Sequence, residues 1–414
     1  MINLKFFDFV KIEWKFLLFG LLMSLWSSFG QTFFISLFSS EIRNELQLSH
    51  GEFGAYYAIA TTVSALTLLW IGKFADTQTV SRLSKITLVS VCLSAFFFSV
   101  VNSVWMLVLG LYLLRLSGQG MMYHVYSTSV TRRYNLMRGK ALAICGFGMN
   151  IAEATLPIIV IITLTYVDWR VIWIALPILA YLTLGPFITK LTKKNIGNSI
   201  DENVSYKNDN TSTLMLQRKD AIKDFAFWVV IIWLMVVPGF SITGIFFHQI
   251  HLSELKNIPL WLWSTNYFWY AIASISGALF SGLLVDKFSA HKIASLTQLP
   301  MLFACFLLWF GNDKITLTLF FIFFGLAGGM LQPMINSLLA ERYGTKWLGE
   351  IKSLLWALSV FSSALSPIVM GLMIDGGNGL TELMLLLVCL SSFSFLSSLT
   401  WFNMFGFTKS FQKN

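Results

Sequence analysis

Charge is scarce in this 414-residue chain. Asp, Glu, Lys and Arg make up 12% of it, against about 25% in an ordinary soluble domain. Apolar residues reach 56% and the mean hydropathy is +0.71. Together these values exclude a soluble enzyme, a disordered chain and a secreted disulfide scaffold. Cysteine is equally sparse: Cys92, Cys145, Cys305 and Cys389 all lie in apolar runs, with neither a disulfide framework nor metal-ligand spacing. There is no Gly-x-x-x-x-Gly-Lys-Ser/Thr loop to hold a nucleotide, and no nucleophile–base set within the apolar runs, so no cofactor, metal or enzyme activity is expected. The first long apolar run, from about Lys15, carries no small-residue cleavage site and reads as a full span rather than a signal peptide. The net charge of +9 is not gathered on a continuous polar face, which argues against a nucleic-acid partner.

What the chain does have is apolar length. A spanning helix needs about 20 mostly apolar residues. Twelve such runs are predicted, at roughly 15–39, 53–72, 86–102, 104–131, 141–166, 170–189, 225–250, 263–285, 293–311, 315–340, 353–375 and 381–407. The polar stretch 190–223 divides them six and six. It cannot bury a core and reads as a solvated linker. With the N-terminus inside, 24 of the 29 Lys and Arg fall in inner segments and four, Arg43, Arg170, Lys256 and Lys314, in outer loops. That asymmetry puts both termini in the cytoplasm. Trp261, Trp263 and Trp269 read as interfacial anchors, and Asn3 to Trp14 as an interfacial helix.

The halves echo each other. Gly72-Lys-Phe-Ala-Asp76 follows the second run and Gly282-Leu-Leu-Val-Asp286 the eighth, 210 residues later; Arg133-Tyr134 and Arg342-Tyr343 close the fourth and tenth, 209 apart; Gly120-Met121 and Gly329-Met330 repeat at that same offset. Repeats of this kind build many secondary transporters, with the substrate site at the repeat interface.

On these marks the chain resembles the major facilitator superfamily over essentially its whole length. The family's loop pattern, Gly-x-Leu-x-Asp-Arg-x-Gly-Arg-Arg, is only partly kept: Thr77, Thr79 and Val80 replace Arg, Gly and Arg, and basic charge returns at Arg82 and Lys85. The second copy keeps Lys287, His291 and Lys292. The resemblance implies a gating role for Gly72, Asp76, Arg82, Gly282, Asp286 and Lys287. Arg115-Leu-Ser-Gly-Gln-Gly120 is similar to the family's fourth-span pattern with a one-residue shift. Two segments resemble the monocarboxylate and organic-anion branch: Arg133-Tyr134 with Arg138-Gly-Lys-Ala-Leu-Ala, and Glu341-Arg-Tyr-Gly with Gly349-Glu-Ile-Lys-Ser-Leu. The fifth-span Gly-Pro-x-x-Gly-Gly of drug/proton antiporters is missing; Gly146, Gly148 and an isolated Pro157 stand there.

Two charges lie deep. Arg115 is about 11 residues, roughly 16 Å, from the outer surface, and Glu153 about 12 residues, roughly 18 Å, from the inner one. Each costs on the order of 2.5–3.5 kcal/mol by insertion scales. Either Arg115 holds an anionic substrate group in its planar fork while Glu153 is its partner or a proton site, or the two form a structural ion pair between the fourth and fifth spans. Tyr126 follows Arg115 by eleven residues, close to three turns, and is expected on the same face. His124, nine residues on, points elsewhere. Gln31 is a substrate contact or helix glue. Gln332 and Asn336, at i and i+4, are expected contacts in the second half, because the resemblance puts the first, fourth, seventh and tenth spans around the cavity. His248 and His251 titrate near neutrality or are wetted interfacial residues. Asn266 and Tyr267 are weaker candidates.

The expected fold is thus an all-α membrane protein of 12 transmembrane helices in two pseudo-symmetric six-helix bundles, 1–189 and 224–414, joined by the cytoplasmic loop 190–223. The expected function is secondary active transport of a small organic anion, proton-coupled or by exchange, with proton-driven efflux of cationic or lipophilic compounds as the rival. The expected partners are that substrate, H⁺ and the lipid bilayer, around a monomer in a bacterial inner membrane.

Overall fold

The computed structural model describes residues 6–134, 137–193, 216–344 and 347–405, without the side chains of 6, 76, 138 and 402–405. Most of the expected central loop, and the side chains of Asp76 and Arg138, therefore lie outside the described residues. Every regular element among those described is helical. Ten of these helices are long and apolar enough to cross a bilayer. In chain order they are the second to sixth spans (His50–Ile71, Val80–Ser99, Val104–Arg133, Gly139–Leu164, Trp169–Thr192), the seventh and eighth (Phe227–Phe247, Leu260–Phe288), and the tenth to twelfth (Lys314–Tyr343, Leu348–Asp375, Leu380–Trp401).

The two remaining runs are interrupted. The first span is a pair, Phe7–Gly30 and Thr32–Leu46, bent by 50°. The hinge is Gln31, whose extended backbone (φ −87°, ψ 149°) breaks the helix after Gly30. The ninth, expected as one helix over 293–311, is the shorter Leu296–Phe310, preceded by the separate turn Ala290–Ile293. Ser289, at φ 73°, and Pro300, at the start of Leu299–Phe310, break the path there, because proline cannot donate to the preceding turn.

By their contacts the residues form two units, Met1–Leu48 with Ile59–Tyr206, and Ser49–Ala58 with Lys207–Asn414. Small residues set the close approaches within each. In the first unit, a Cβ on Gly148 would lie 1.9 Å from the Leu21 carbonyl oxygen, so the fifth span rests directly on the backbone of the first. In the second, a Cβ on Gly329 would lie 1.9 Å from the Ser274 oxygen, which joins the eighth and tenth spans in the same way. Packing of this kind replaces the hydrophobic drive that lipid removes. Trp261 and Trp269 are exposed, as expected of anchors, but Trp263 is buried. Its ring packs 5.8 Å from Phe320 and 5.4 Å from Phe321, a core contact that one-dimensional spacing does not separate from a surface one.

The repeated Arg-Tyr pairs mark matching clasps. Arg133 Nη2 lies 2.9 Å from Glu13 Oε2, to which Tyr134 Oη also donates at 2.7 Å. In the second unit Arg342 Nε and Nη2 donate to the two oxygens of Asp224 at 2.6 and 2.9 Å, and Tyr343 Oη donates at 2.7 Å. The second clasp is the drier, with Arg342 and Asp224 side chains 1% and 2% exposed against 16% and 7% for Arg133 and Glu13.

Two of the four expected outer cations close helix ends. Lys256 Nζ donates to Trp309 O, Gly311 O and Asn312 Oδ1 at 3.0, 2.6 and 3.0 Å, at the C-terminus of the ninth span. Arg170 pairs with Glu45 and donates to Val101 O at 2.8 Å, just past the third. Both cations sit where the helix dipole is negative.

Removing one partner of a buried pair strands the other charge, at about 3–5 kcal/mol. Asp224→Ala should therefore lower the unfolding temperature in detergent more than Glu13→Ala, whose arginine is better hydrated. Equal losses would show that burial does not set the strength of these clasps.

Candidate functional site

The break in the first span organises the deep polar groups of the first unit. Gly30 ends one helix and leaves its carbonyl without a turn to join. Arg115, 3% exposed, donates from Nη1 to that oxygen at 2.9 Å. The approach is close: a Cβ on Gly30 would lie 2.4 Å from both Gln119 N and Leu114 O, and one on Gly118 2.6 Å from Gly30 N. Opposite this crossing the fourth span is itself irregular, a π-helical stretch over Arg115–Met122. Stretches of this kind gather at functional sites.

The π stretch changes which side chains share a face. Eleven residues make about three α-turns, but one inserted residue rotates the remainder of the helix by roughly 100°. The expected alignment of Tyr126 beneath Arg115 therefore does not hold. Tyr126 is 4% exposed, with its ring 5.2 Å from Tyr123. His124 is turned to the second span, where its Nε2 donates to Gly72 O at 3.1 Å. Arg132 Nη1 donates to Ala75 O at 2.6 Å. The loop whose basic motif residues are missing is thus held from the fourth span instead.

Glu153 forms no hydrogen bond or ion pair with any described residue, so the pairing with Arg115 is not formed. Its placement follows from helical period. Phe147, Ile151, Ile159 and Ile162 are exposed apolar residues on one face of the fifth span. Gly146, Asn150, Glu153 and Pro157, spaced four, three and four, lie on the opposite face. Gly148 and Ala152 between the two faces pack on the first span. Gln31, Gln119 and Asn150 are partly exposed, and their side chains make no hydrogen bond with described residues. The 3₁₀ turn ending at Gly30 contacts both the π stretch and the fifth span. Gln119 and Asn150 were not singled out from sequence; the four-three-four spacing of Gly146, Asn150, Glu153 and Pro157 is the signal that would have found Asn150.

In the second unit Gln332 and Asn336 sit one turn apart on the tenth span, both partly buried. Asn336 Oδ1 is shielded and lacks a hydrogen-bond partner among the described residues. His248 is 3% exposed and donates from Nε2 to Pro367 O at 3.1 Å, so it is engaged between the seventh and eleventh spans. Asn266 and Tyr267 are likewise engaged: Asn266 Oδ1 accepts from Thr318, and Tyr267 Oη donates to Gln249 Oε1 at 2.6 Å. Of the second gating motif, Gly282 meets open space, while Asp286 and Lys287 are exposed, as is Arg82 in the first. Glu341 holds the turn beyond it, accepting from Ala290 N at 2.7 Å and His291 Nδ1 at 3.2 Å.

Ten described helices of bilayer length and apolar composition define a polytopic membrane protein. The chain belongs to the major facilitator superfamily, whose sequence profile matches residues 20–367. It is accordingly a transporter and not an enzyme. Solved structures share the fold at low identity. A bacterial homolog of the human lysosomal transporter Spinster, inward-facing and unoccupied, is 13% identical with a TM-score of 0.68, over 94% of this chain and 97% of that one. The nucleoside transporter NupG, solved in a mutant form, is 14% identical with a TM-score of 0.68, over 94% and 100%. No curated protein sequence matches the chain.

The glycine crossing gives a direct test. Gly30→Ala or Gly118→Ala places a methyl against backbone and should destabilise by about 1–3 kcal/mol or more. Gly146→Ala, which meets nothing within 4 Å, should be neutral. Thermal unfolding of the three variants in detergent checks both halves.

Proposed function

We propose that the chain is a proton-coupled transporter of a small polar solute, with Glu153 as the proton site. The observation that carries this reading is the contrast between the two deep charges. Arg115 is engaged on the Gly30 carbonyl, whereas Glu153 makes no hydrogen bond or ion pair with a described residue and stands on the face opposite the exposed apolar one. A carboxyl group in that setting can exchange a proton with a water-filled cavity and change charge with protein conformation. Asn150, one turn away on the same helix face, and Gln31 and Gln119 in the same unit offer amide donors and acceptors, and Gln332 and Asn336 offer a second set in the other unit. Amides of this kind suit hydrogen-bonding solutes; the nucleoside carrier NupG shows that the fold accommodates one such class. Transport proceeds by alternating access of two six-helix bundles, in a monomer spanning a bacterial inner membrane with both termini cytoplasmic, as the distribution of Lys and Arg supports.

A second reading keeps the substrate an organic anion. It is favoured by Arg115 being the one basic residue at mid-span and by its bond to a neutral carbonyl, which a substrate carboxylate, as a charged acceptor, can outcompete. On this reading the substrate displaces Gly30 and frees the break in the first span.

Uptake by proteoliposomes of a panel of carboxylates, nucleosides and organic cations, with and without a proton gradient, separates the two. Glu153→Gln should abolish gradient-driven accumulation and retain exchange of substrate down its own gradient. Accumulation that survives in the variant sinks the proton-site assignment. Arg115→Lys should raise the KM for carboxylates at least tenfold on the second reading. On the first it should lower only the folded yield.

A further inference from the structure

The chain enters its seventh span through a short helix, Arg218–Lys223. The segment is pinned along its length. Leu216 N donates to Tyr343 O at 3.0 Å, Ala221 is buried in the core of the second unit, and Asp224 closes the clasp on Arg342 and Tyr343. Its outward side chains are therefore presented from a held backbone.

Both carboxylates of the segment are engaged. Asp224 belongs to the clasp, and Asp220 Oδ2 accepts from Gln217 N at 2.8 Å. The three cations are not engaged. Arg218, Lys219 and Lys223 are exposed and make no hydrogen bond or ion pair with a described residue. The eleventh span packs on this turn and brings Glu350 and Lys352 in its first turns, whose charges offset each other. Set against Asp220, the three cations leave a surplus of positive charge. This differs from Arg115, Arg132, Arg170 and Lys256, each of which is bonded to backbone.

Beside the cations the surface turns apolar. Ile222, Phe225 and Trp228 are exposed. The Trp228 indole N–H donates to Ile222 O at 2.7 Å, so the ring presents no polar group outward. The Phe225 ring lies 5.6 Å from that of Trp401, at the end of the twelfth span. Unengaged cations bordering exposed rings at the start of a span match the two ends of an anionic phospholipid, whose phosphate suits the cations and whose acyl chain suits the rings. A neutral lipid meets only the apolar half.

We propose that Arg218, Lys219 and Lys223, with Ile222, Phe225 and Trp228, form a docking surface for an anionic phospholipid. The cations hold its phosphodiester, to which Arg218 can offer two parallel N–H donors, and the acyl chain lies along the three apolar side chains. None of these residues belongs to the Glu153 face, so the surface stands apart from the transport reading.

Native mass spectrometry of the full-length, delipidated protein tests this, with phosphatidylglycerol and phosphatidylcholine of identical acyl chains as probes. The first phosphatidylglycerol should bind wild type about tenfold more tightly than phosphatidylcholine. The combined variant Arg218→Gln, Lys219→Gln, Lys223→Gln should cut that preference to under about threefold. If it does not fold, Lys219→Gln alone should lower the preference roughly twofold. The combined variant Lys85→Gln, Lys190→Gln, Lys193→Gln, which removes three exposed cations of the first unit, should keep it. Phe225→Ser should weaken both lipids alike, and unchanged binding of both overturns the apolar half of the surface. No preference in wild type, or an equal loss in the two combined variants, overturns the docking surface; the second result makes the cations part of a general field. Because the readout involves neither substrate nor a gradient, it succeeds or fails independently of the transport assays.

Discussion

A carbonyl that leaves a helix inside a bilayer has no water to bond and must be given a donor by the protein. Much of this structure follows from that constraint. At five places where a span breaks or ends, the donor is a cation or an imidazole from elsewhere in the chain. Arg115 reaches Gly30, His124 reaches Gly72, Arg132 reaches Ala75, Arg170 reaches Val101, and Lys256 reaches Trp309 and Gly311. In a chain with so little charge, a large share of its deep and outer basic residues is committed to backbone. Two of the outer cations that run against the inside-positive bias are explained in this way, since each closes a helix end.

The same constraint shows why internal repetition does not give identical halves. The Arg-Tyr clasps recur, with Glu13 in one unit and Asp224 in the other, because each ties the end of a long span to a neighbour with a charge-assisted bond. The loops after the second and eighth spans differ in how they are held. In the first, side chains of the fourth span donate to the carbonyls of Gly72 and Ala75. In the second, the Glu341 carboxylate accepts from the amide of Ala290 and from His291. One loop presents carbonyl acceptors and the other amide and imidazole donors, so position 132 is Arg while its counterpart 341 is Glu. The loss of Arg and Gly at Thr77 and Thr79 is thus matched by donors from another span.

Much of the fold was legible because span length and the placement of Lys and Arg are one-dimensional properties. The all-helical fold, most of the apolar spans and the Arg-Tyr echoes all come from counting residues. The bend at Gln31 and the pieces of the ninth span were not legible in that way, because a hydropathy window averages over a single extended residue or a proline. The π stretch is the clearest case: inference of a shared face for Arg115 and Tyr126 assumes an unbroken α period, and one extra residue in the turn removes it. Trp263 failed for a related reason, since an aromatic residue near a span end looks alike whether it faces lipid or Phe320. The bonds from the amides of His50 and Gly51 to Asp375 join residues more than 320 positions apart in sequence, beyond the reach of any local pattern.

Depth alone made Arg115 and Glu153 equivalent, and their surroundings separate them. A buried guanidinium keeps its proton throughout, so in the low-dielectric interior it is best used where a fixed donor is needed, as at a broken helix. A carboxyl group can lose and regain its charge, and is useful only where its surroundings change during the cycle. The first role requires a close, permanent contact, which Gly30 and Gly118 make possible by lacking side chains. The second requires the reverse: a group not already satisfied by the protein. Asn150, one turn from Glu153 on the same helix face, and Gln31, at the break itself, likewise make no hydrogen bond with a described residue. Moving the break in the first span would expose the Gly30 carbonyl, redirect Arg115 and shift the level at which Gln31 stands. The break in the first span and the engagement of Arg115 are therefore coupled: the guanidinium keeps its place only while the bend holds the Gly30 carbonyl beside it.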